Sequence, residues 1–193
     1  MTKPMLKKLV VLTVVACMMN ATTWAEHVAA TVGIRFKGTS TLHGFEGTAP
    51  AQPFVAHFTT DEKTGTWKVS ARTSLNVKNM TTNNRMRDKN MDKMFDLVHF
   101  PRIEAELQNV SISEKADTQA KLHLKIRNVE HEVNATISNV RRKGDRISCI
   151  MSFPVSLTAF GMTPPSVMGM IKVKDTVNVE CTVTGKISSA TER

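Results

Sequence analysis

Apolar and polar positions alternate along most of the chain beyond its first 25 residues. Trp67, Val69, Ala71, Thr73, Leu75 and Val77 share one parity, with Lys68, Ser70, Arg72, Ser74 and Asn76 between them. Leu122, Leu124 and Ile126 alternate with Lys121, His123, Lys125 and Arg127, and Val133, Ala135 and Ile137 follow. Two further runs keep the same rhythm: Ile147, Cys149, Met151, Phe153, Val155 and Leu157, then Val173, Val177, Val179, Cys181, Val183 and Ile187. A period of two marks strands with one buried face. Weaker strands are expected at Val28–Lys37, Thr48–Thr59 and Arg102–Ser111, with turns at Lys63-Thr64-Gly65, Arg142-Lys143-Gly144-Asp145 and across Gly161–Gly169. The pattern therefore predicts an all-β domain of about eight strands, closed into a barrel or folded as a sandwich to protect its edges.

One segment departs from this rhythm. In Arg87–Val98, the residues Met91, Met94, Phe95 and Val98 fall at the i, i+3, i+4, i+7 spacing of a helical stripe. Asp88 stands where a carboxylate suits a helix N-terminus, and His99-Phe100-Pro101 ends the run. The expectation is a short helix across one end of the barrel, either framing an opening or plugging the core.

The N-terminus changes the charge balance. Lys3, Lys7 and Lys8 precede the apolar run Leu9–Met19 and a small, polar stretch that ends at Ala25. That order is the signature of a secretory signal peptide, and eleven apolar residues are too few to span a bilayer. Cleavage after Ala25 is expected, leaving one domain over residues 26–193 in the periplasm or secreted. The rival reading is a lipoprotein box, Val14-Val15-Ala16-Cys17, with Cys17 acylated. The full chain has 193 residues, 26 Lys+Arg and 17 Asp+Glu. Deleting residues 1–25 removes three Lys and no acid, which leaves 23 basic against 17 acidic side chains.

Cys149 and Cys181 remain in the mature chain, both on the apolar parity of their strands. A hairpin folded about residue 165 would set them directly opposite one another. In an oxidising compartment they could form a structural disulfide, the alternative being two buried thiols that pack as small hydrophobes.

Motifs for chemistry are sparse. His131-Glu132-Val133-Asn134-Ala135 begins like a zinc helix motif but has Ala where the second His belongs, so no metal site is expected. Gly38-Thr39-Ser40-Thr41-Leu42 lacks the closing Gly of a nucleophile elbow. Asp88, Asp92 and Asp96 beside Lys89 and Lys93 read as a solvated helix face. Arg141-Arg142-Lys143 has no interleaved aromatics, which argues against nucleic acid; it suits solubility or proximity to an anionic membrane surface. From these motifs neither a catalytic centre nor a cofactor is expected.

Three stretches, in order, resemble the YceI-like family of exported bacterial proteins: Phe36–Gly47 with its His-containing bend, Asn90–Leu97 running on through Phe100-Pro101-Arg102-Ile103, and Phe160-Gly161-Met162-Thr163-Pro164-Pro165 with Gly169 and Lys174-Asp175-Thr176-Val177. The resemblance spans roughly Ala30–Lys186. It implies an eight-stranded antiparallel lipocalin-like barrel with a short helix near its opening and an apolar cavity that holds an isoprenoid lipid, a polyprenyl chain or a quinone-like molecule. On that reading Trp67, Val69, Leu75, Leu122, Leu124, Ile126, Met151, Phe153 and Val155 line the cavity. Met91, Met94, Phe95 and Phe160 form its mouth, and His43, Asn84 and Arg87 are candidates for contact with a polar head group. The leading expectation is a non-catalytic lipid carrier, with homodimerisation left open. A barrel filled by its own side chains, acting as an envelope stress or electron-transfer interaction module, is the alternative. An exported enzyme using His43 or His99 with an Asp is a third reading.

Overall fold

The computed structural model describes residues 25–50, 52–61, 63–167 and 171–188. The expected leader up to residue 24, including Cys17, lies outside the described residues, as does Gly169.

The strands are β1 (Ala25–Thr39), β2 (Gly44–Pro50), β3 (Phe54–Asp61), β4 (Thr66–Asn76), β5 (Arg102–Ile112), β6 (Thr118–Ile126), β7 (Val129–Lys143), β8 (Arg146–Ser156), the short β9 (Ser166–Val167) and β10 (Ile171–Lys172), and β11 (Thr176–Ser188). Neighbours from β3 to β8 pair in sequence order, all antiparallel. β11 joins β8 to β1, and β1 joins β3, which closes the sheet. The result is an eight-stranded antiparallel barrel, as the alternation and the resemblance predict, and closure removes the exposed edges.

The expected single strand at Thr48–Thr59 is two strands. β2 and β3 both run against β1, with Gly33 opposite Pro50 and Ala30 opposite Phe54. Pro50 and Pro53 flank the break, and proline cannot donate to a ladder. The barrel wall thus divides here, and its upper part is carried by β2.

Two bulges keep apolar side chains pointing inward. The β4–β5 register shifts between Val69 and Ala71, where Asn109 has a positive φ of 49°. The β7–β8 register shifts between Ser138 and Arg141, with Asn139 at φ 51°. Each bulge adds one residue, so the inward parity passes from Leu107 to Val110 and from Ile137 to Val140.

The helix α1 spans Arg85–Phe95, displaced toward the N-terminus from the expected Arg87–Val98. Asn84 is its N-cap, accepting from the amides of Met86 and Arg87 at 3.1 and 3.0 Å. Asp96 ends it in the left-handed region at φ 53°, so Val98 falls beyond the helix and is exposed rather than part of a buried stripe. Asp96 is consequently no member of a carboxylate row on the helix; it pairs with His99 Nδ1 at 2.8 Å.

The cysteines do not face one another. Leu157 N–H donates to the Asp175 carbonyl, and the Asp175 carboxylate accepts from Ser156 Oγ and Thr158 N at 2.6 and 2.7 Å. This clamp sets Thr176 opposite Ser156, a register that places Cys181 opposite Met151 and Cys149 opposite Val183. The thiols are therefore diagonal neighbours, and both are free. The expected direct pairing fails because the connection is no symmetric hairpin: it contains a 3-10 turn at Thr158–Phe160 and the β9–β10 hairpin.

Candidate functional site

The inward faces of the strands enclose an elongated apolar cavity of about 520 Å3. Its volume falls in the range of small-molecule sites, and an eight-stranded barrel is wide enough to be filled or to hold one ligand. Most side chains needed to fill it are aliphatic, Met or small: Ala49, Ala56, Ala71 and Ala105 lie on its walls beside Leu122, Leu124 and Met151. Small residues at facing positions leave the space open.

The two ends differ. At one end, where β3 leads to β4, β5 to β6 and β7 to β8, Phe58, Trp67, Ile112, Ile137 and Val140 form a buried cluster. At the other, the opening lies among the 40–45 bend, the first half of α1 and the 162–167 and 171–173 stretches, which contribute His43, Phe45, Asn84, Arg87, Pro165 and Val173 to the lining. The 171–174 stretch is tied to the end of β1 by Thr41 N–H donating to the Lys172 carbonyl and Lys174 N–H donating to the Thr39 carbonyl, at 3.0 and 2.8 Å. Helix α1 lies over this end, its Met91 and Phe95 buried toward the barrel interior.

Eight of the nine residues expected on the cavity wall line it: Val69, Leu75, Leu122, Leu124, Ile126, Met151, Phe153 and Val155. Trp67 does not; it is buried in the plug at the closed end. Of the four expected at the mouth, Met91, Met94 and Phe95 line the cavity as the inner face of the helical lid. Phe160 is buried at 1% exposure within the core, its ring edge-on to His131 at 5.3 Å, away from the cavity surface. It lies in the 3-10 turn Thr158–Phe160, past the end of β8, which the strand pattern did not predict.

His43 from the 40–45 bend and Asn84 and Arg87 from the start of α1 converge at the opening. Arg87 stacks over the Phe45 ring at 5.0 Å, a cation–π contact that holds the guanidinium at the rim. Asn84 Oδ1 is engaged in capping α1. The start of the helix is fixed by Asp88, which accepts from Thr81 Oγ1, Thr82 N and Thr82 Oγ1 at 2.9, 2.8 and 2.5 Å. Partial burial raises the cost of its charge, but these hydrogen bonds prevail and hold the carboxyl below its ordinary range.

Inside the cavity one polar group stands out that the strand pattern alone did not single out. Thr73 lies on the inward parity of β4, opposite Ala105, and its hydroxyl is buried with no hydrogen-bond partner. An orphan hydroxyl in an apolar wall is costly, and such groups call for a partner. The two thiols also face the cavity, and burial pushes Cys149 up to about 11 and Cys181 up to about 12. Both are protonated at neutral pH, which makes them poor nucleophiles. Among the described residues no group of three His, Cys, Asp or Glu converges as a metal site.

The model of the YceI-like domain matches residues 22–185. Among solved structures the chain is similar to BcnA of Burkholderia cenocepacia, with a TM-score of 0.60 at 14% identity over 78% of this chain and 95% of that one. It is also similar to a polyisoprenoid-binding domain from Saccharophagus degradans implicated in plant cell wall breakdown, with a TM-score of 0.58 at 11% identity over 86% and 99% of the two chains. The YceI protein of Campylobacter jejuni gives a TM-score of 0.53 at 16% identity over 76% and 85%. No curated protein matches the sequence.

Proposed function

This chain belongs to the YceI-like domain family, and from that membership and the cavity we propose that it binds and carries a long apolar isoprenoid lipid, making and breaking no bond. The observation that carries this reading is the apolar cavity of about 520 Å3, open at one end beside three polar side chains. A filled barrel, the interaction-module alternative, would have no such space. The likeness in fold to a domain described as polyisoprenoid-binding supports the ligand class. The chain of the ligand lies along the Leu, Ile, Val and Met walls, and its polar end sits near His43, Asn84 and Arg87.

The energetics suit this mode. Each 100 Å2 of apolar ligand surface taken from water contributes about 2.5 kcal/mol before the costs of immobilisation. Met side chains adapt to a flexible chain at little cost. The cavity wall offers mainly hydrocarbon, with the buried, unpaired Thr73 hydroxyl among its few polar atoms, so recognition is chiefly by shape and apolar area, with polar selection at Thr73 and the rim. A prenyl chain with a quinone ring and one with an alcohol or phosphate end are both compatible with the wall, and the end group decides between them. We place this activity in the periplasm, on the expected leader alone.

Native mass spectrometry of the protein from its own host, followed by lipid extraction, tests the reading. A bound mass of the prenyl or quinone-lipid class is the expected result. Phe153→Ala should weaken rebinding of the extracted lipid, while Arg142→Ala, at the closed end, should not. A host-derived protein with an empty cavity, or equal effects of the two substitutions, would overturn the carrier assignment.

A further inference from the structure

Four large apolar side chains are exposed among the described residues: Leu42, Val55, Met86 and Val98, at 68%, 52%, 71% and 87%. Three of them, Leu42, Met86 and Val98, lie at the open end: in the 40–45 bend, in the first turn of α1 and just past its C-terminus. Singly exposed apolar residues are ordinary, but their concentration at one end of a barrel is not.

Charge around the opening itself is mainly basic, while Asp92 and Asp96 lie farther along α1 toward Val98 and Asp175 follows Lys174. The segments bordering the opening, 40–45, 84–90, 162–167 and 171–174, hold Arg85, Arg87, Lys89, Lys172 and Lys174 against a single acid, Asp88. That carboxylate is already engaged by Thr81 and Thr82. Among the described residues none of the five cations is held in a salt bridge. The basic cluster that the sequence makes conspicuous, Arg141-Arg142-Lys143, forms the end of β7, beside the β7–β8 turn at the opposite, closed end. Glu114 is beside it, accepting from the Arg142 amide at 2.6 Å.

We propose that the open end of the barrel is a docking face for an anionic lipid bilayer, with Leu42, Met86 and Val98 entering the head-group layer and the rim cations facing lipid phosphates. This rests on the carrier reading, because a long apolar chain is most readily exchanged when the opening faces the membrane and the chain avoids water. Apolar anchors with a basic collar are the combination that holds a protein on an anionic surface, whereas either alone holds it weakly. The orientation excludes the 141–143 cluster as the contact.

Co-sedimentation with vesicles tests the face, using protein whose N-terminal mass shows no acyl chain. Vesicles are phosphatidylcholine alone, or an equal mixture of phosphatidylcholine and phosphatidylglycerol. The native protein should bind the mixed vesicles at least about tenfold more tightly than the neutral ones, with the difference shrinking as salt is added. An open-end variant, Leu42→Ser with Lys172→Gln and Lys174→Gln, should lose at least about tenfold of that binding. A closed-end variant, with Arg141, Arg142 and Lys143 all replaced by Gln, should stay close to the native protein. Loss in the closed-end variant instead, no preference for anionic vesicles, or no vesicle binding at all would overturn the proposal; in the last case the apolar rim would belong to a protein partner. Displacement of an anilinonaphthalene probe by geranylgeraniol, read in solution without vesicles, separates the two claims. Displacement without vesicle binding removes the docking face and leaves the carrier. Vesicle binding without displacement removes the carrier.

Discussion

At the mouth of the barrel two phenylalanine–glycine pairs face each other in reversed order, Phe36 opposite Gly47 and Gly38 opposite Phe45. Each ring lies over the glycine of the neighbouring strand so closely that a Cβ there would collide with it. The pairs let two aromatic rings lie against the backbone, and the Phe45 ring in turn supports Arg87 at the rim. Deeper in, Thr73 is the residue whose role is most open to measurement. Thr73→Val removes a buried hydroxyl that has no partner, so the empty protein should be unchanged or stabilised by up to about 1 kcal/mol in urea unfolding. If the hydroxyl meets a polar atom of the ligand, the same variant should bind that lipid about tenfold more weakly and a pure hydrocarbon chain such as squalene with unchanged affinity. A destabilised empty protein would show that Thr73 has a structural partner instead. Sequence placed Thr73 on the inward face but could not tell that its hydroxyl was unpaired, since that depends on neighbours across β4 and β5.

At the level of elements, the strands were legible wherever one face is buried, because alternation is then enforced position by position. The phase changes leave a trace in the sequence that the simple alternation did not predict. The apolar positions switch from Ile103, Ala105 and Leu107 to Val110 and Ile112, and from Ile137 to Val140, with an Asn at each step. What failed was register, which depends on the connection rather than on the strands. The Asp175 clamp shifts β11 against β8 by two residues from a symmetric hairpin, and so separates Cys149 from Cys181. Mass spectrometry after alkylation checks this: in denaturant without reductant both thiols should react, whereas in the native protein both should react slowly, being buried and raised to about 11 and 12. A disulfide would give no labelling in unreduced denaturant.

Helix α1 shows the same division. Its apolar stripe was visible, but its start is set by the Asn84 cap and the hydrogen bonds between Thr81, Thr82 and Asp88. Asp88 titrates below its ordinary value, so its contribution is present above the unfolded carboxyl range near pH 4 and is lost as pH falls through the lower folded value. Amide exchange over residues 81–96, corrected for intrinsic rate, should therefore show protection falling below about pH 4 in the native protein. Asp88→Asn should have lower protection at neutral pH and little further loss in acid. A native segment equally protected down to pH 2 would show that the carboxylate does not hold the lid.

For the whole molecule, the strand pattern announces an inside and an outside but not whether the inside is full. Closure, tilt and the size of facing side chains decide that, and they are properties of all eight strands together. Trp67 illustrates the limit: its parity is inward, yet its height along the barrel makes it part of the plug rather than the wall. Ala105 illustrates the opposite case, a small inward residue at mid-height, opposite Thr73 on one side and Leu124 on the other, where space exists because no side chain fills it. Filling is therefore a sharper test of the cavity than truncation, which can lower binding simply by loosening the core. Ala105→Phe places a ring in unoccupied volume, so the barrel should keep its thermal stability or gain slightly, in contrast to the cost of about 1–3 kcal/mol when a packed core is overfilled. Lipid retained from the host should fall several-fold in the same variant. A destabilised barrel with unchanged lipid content would mean that the space around Ala105 is not where the chain lies.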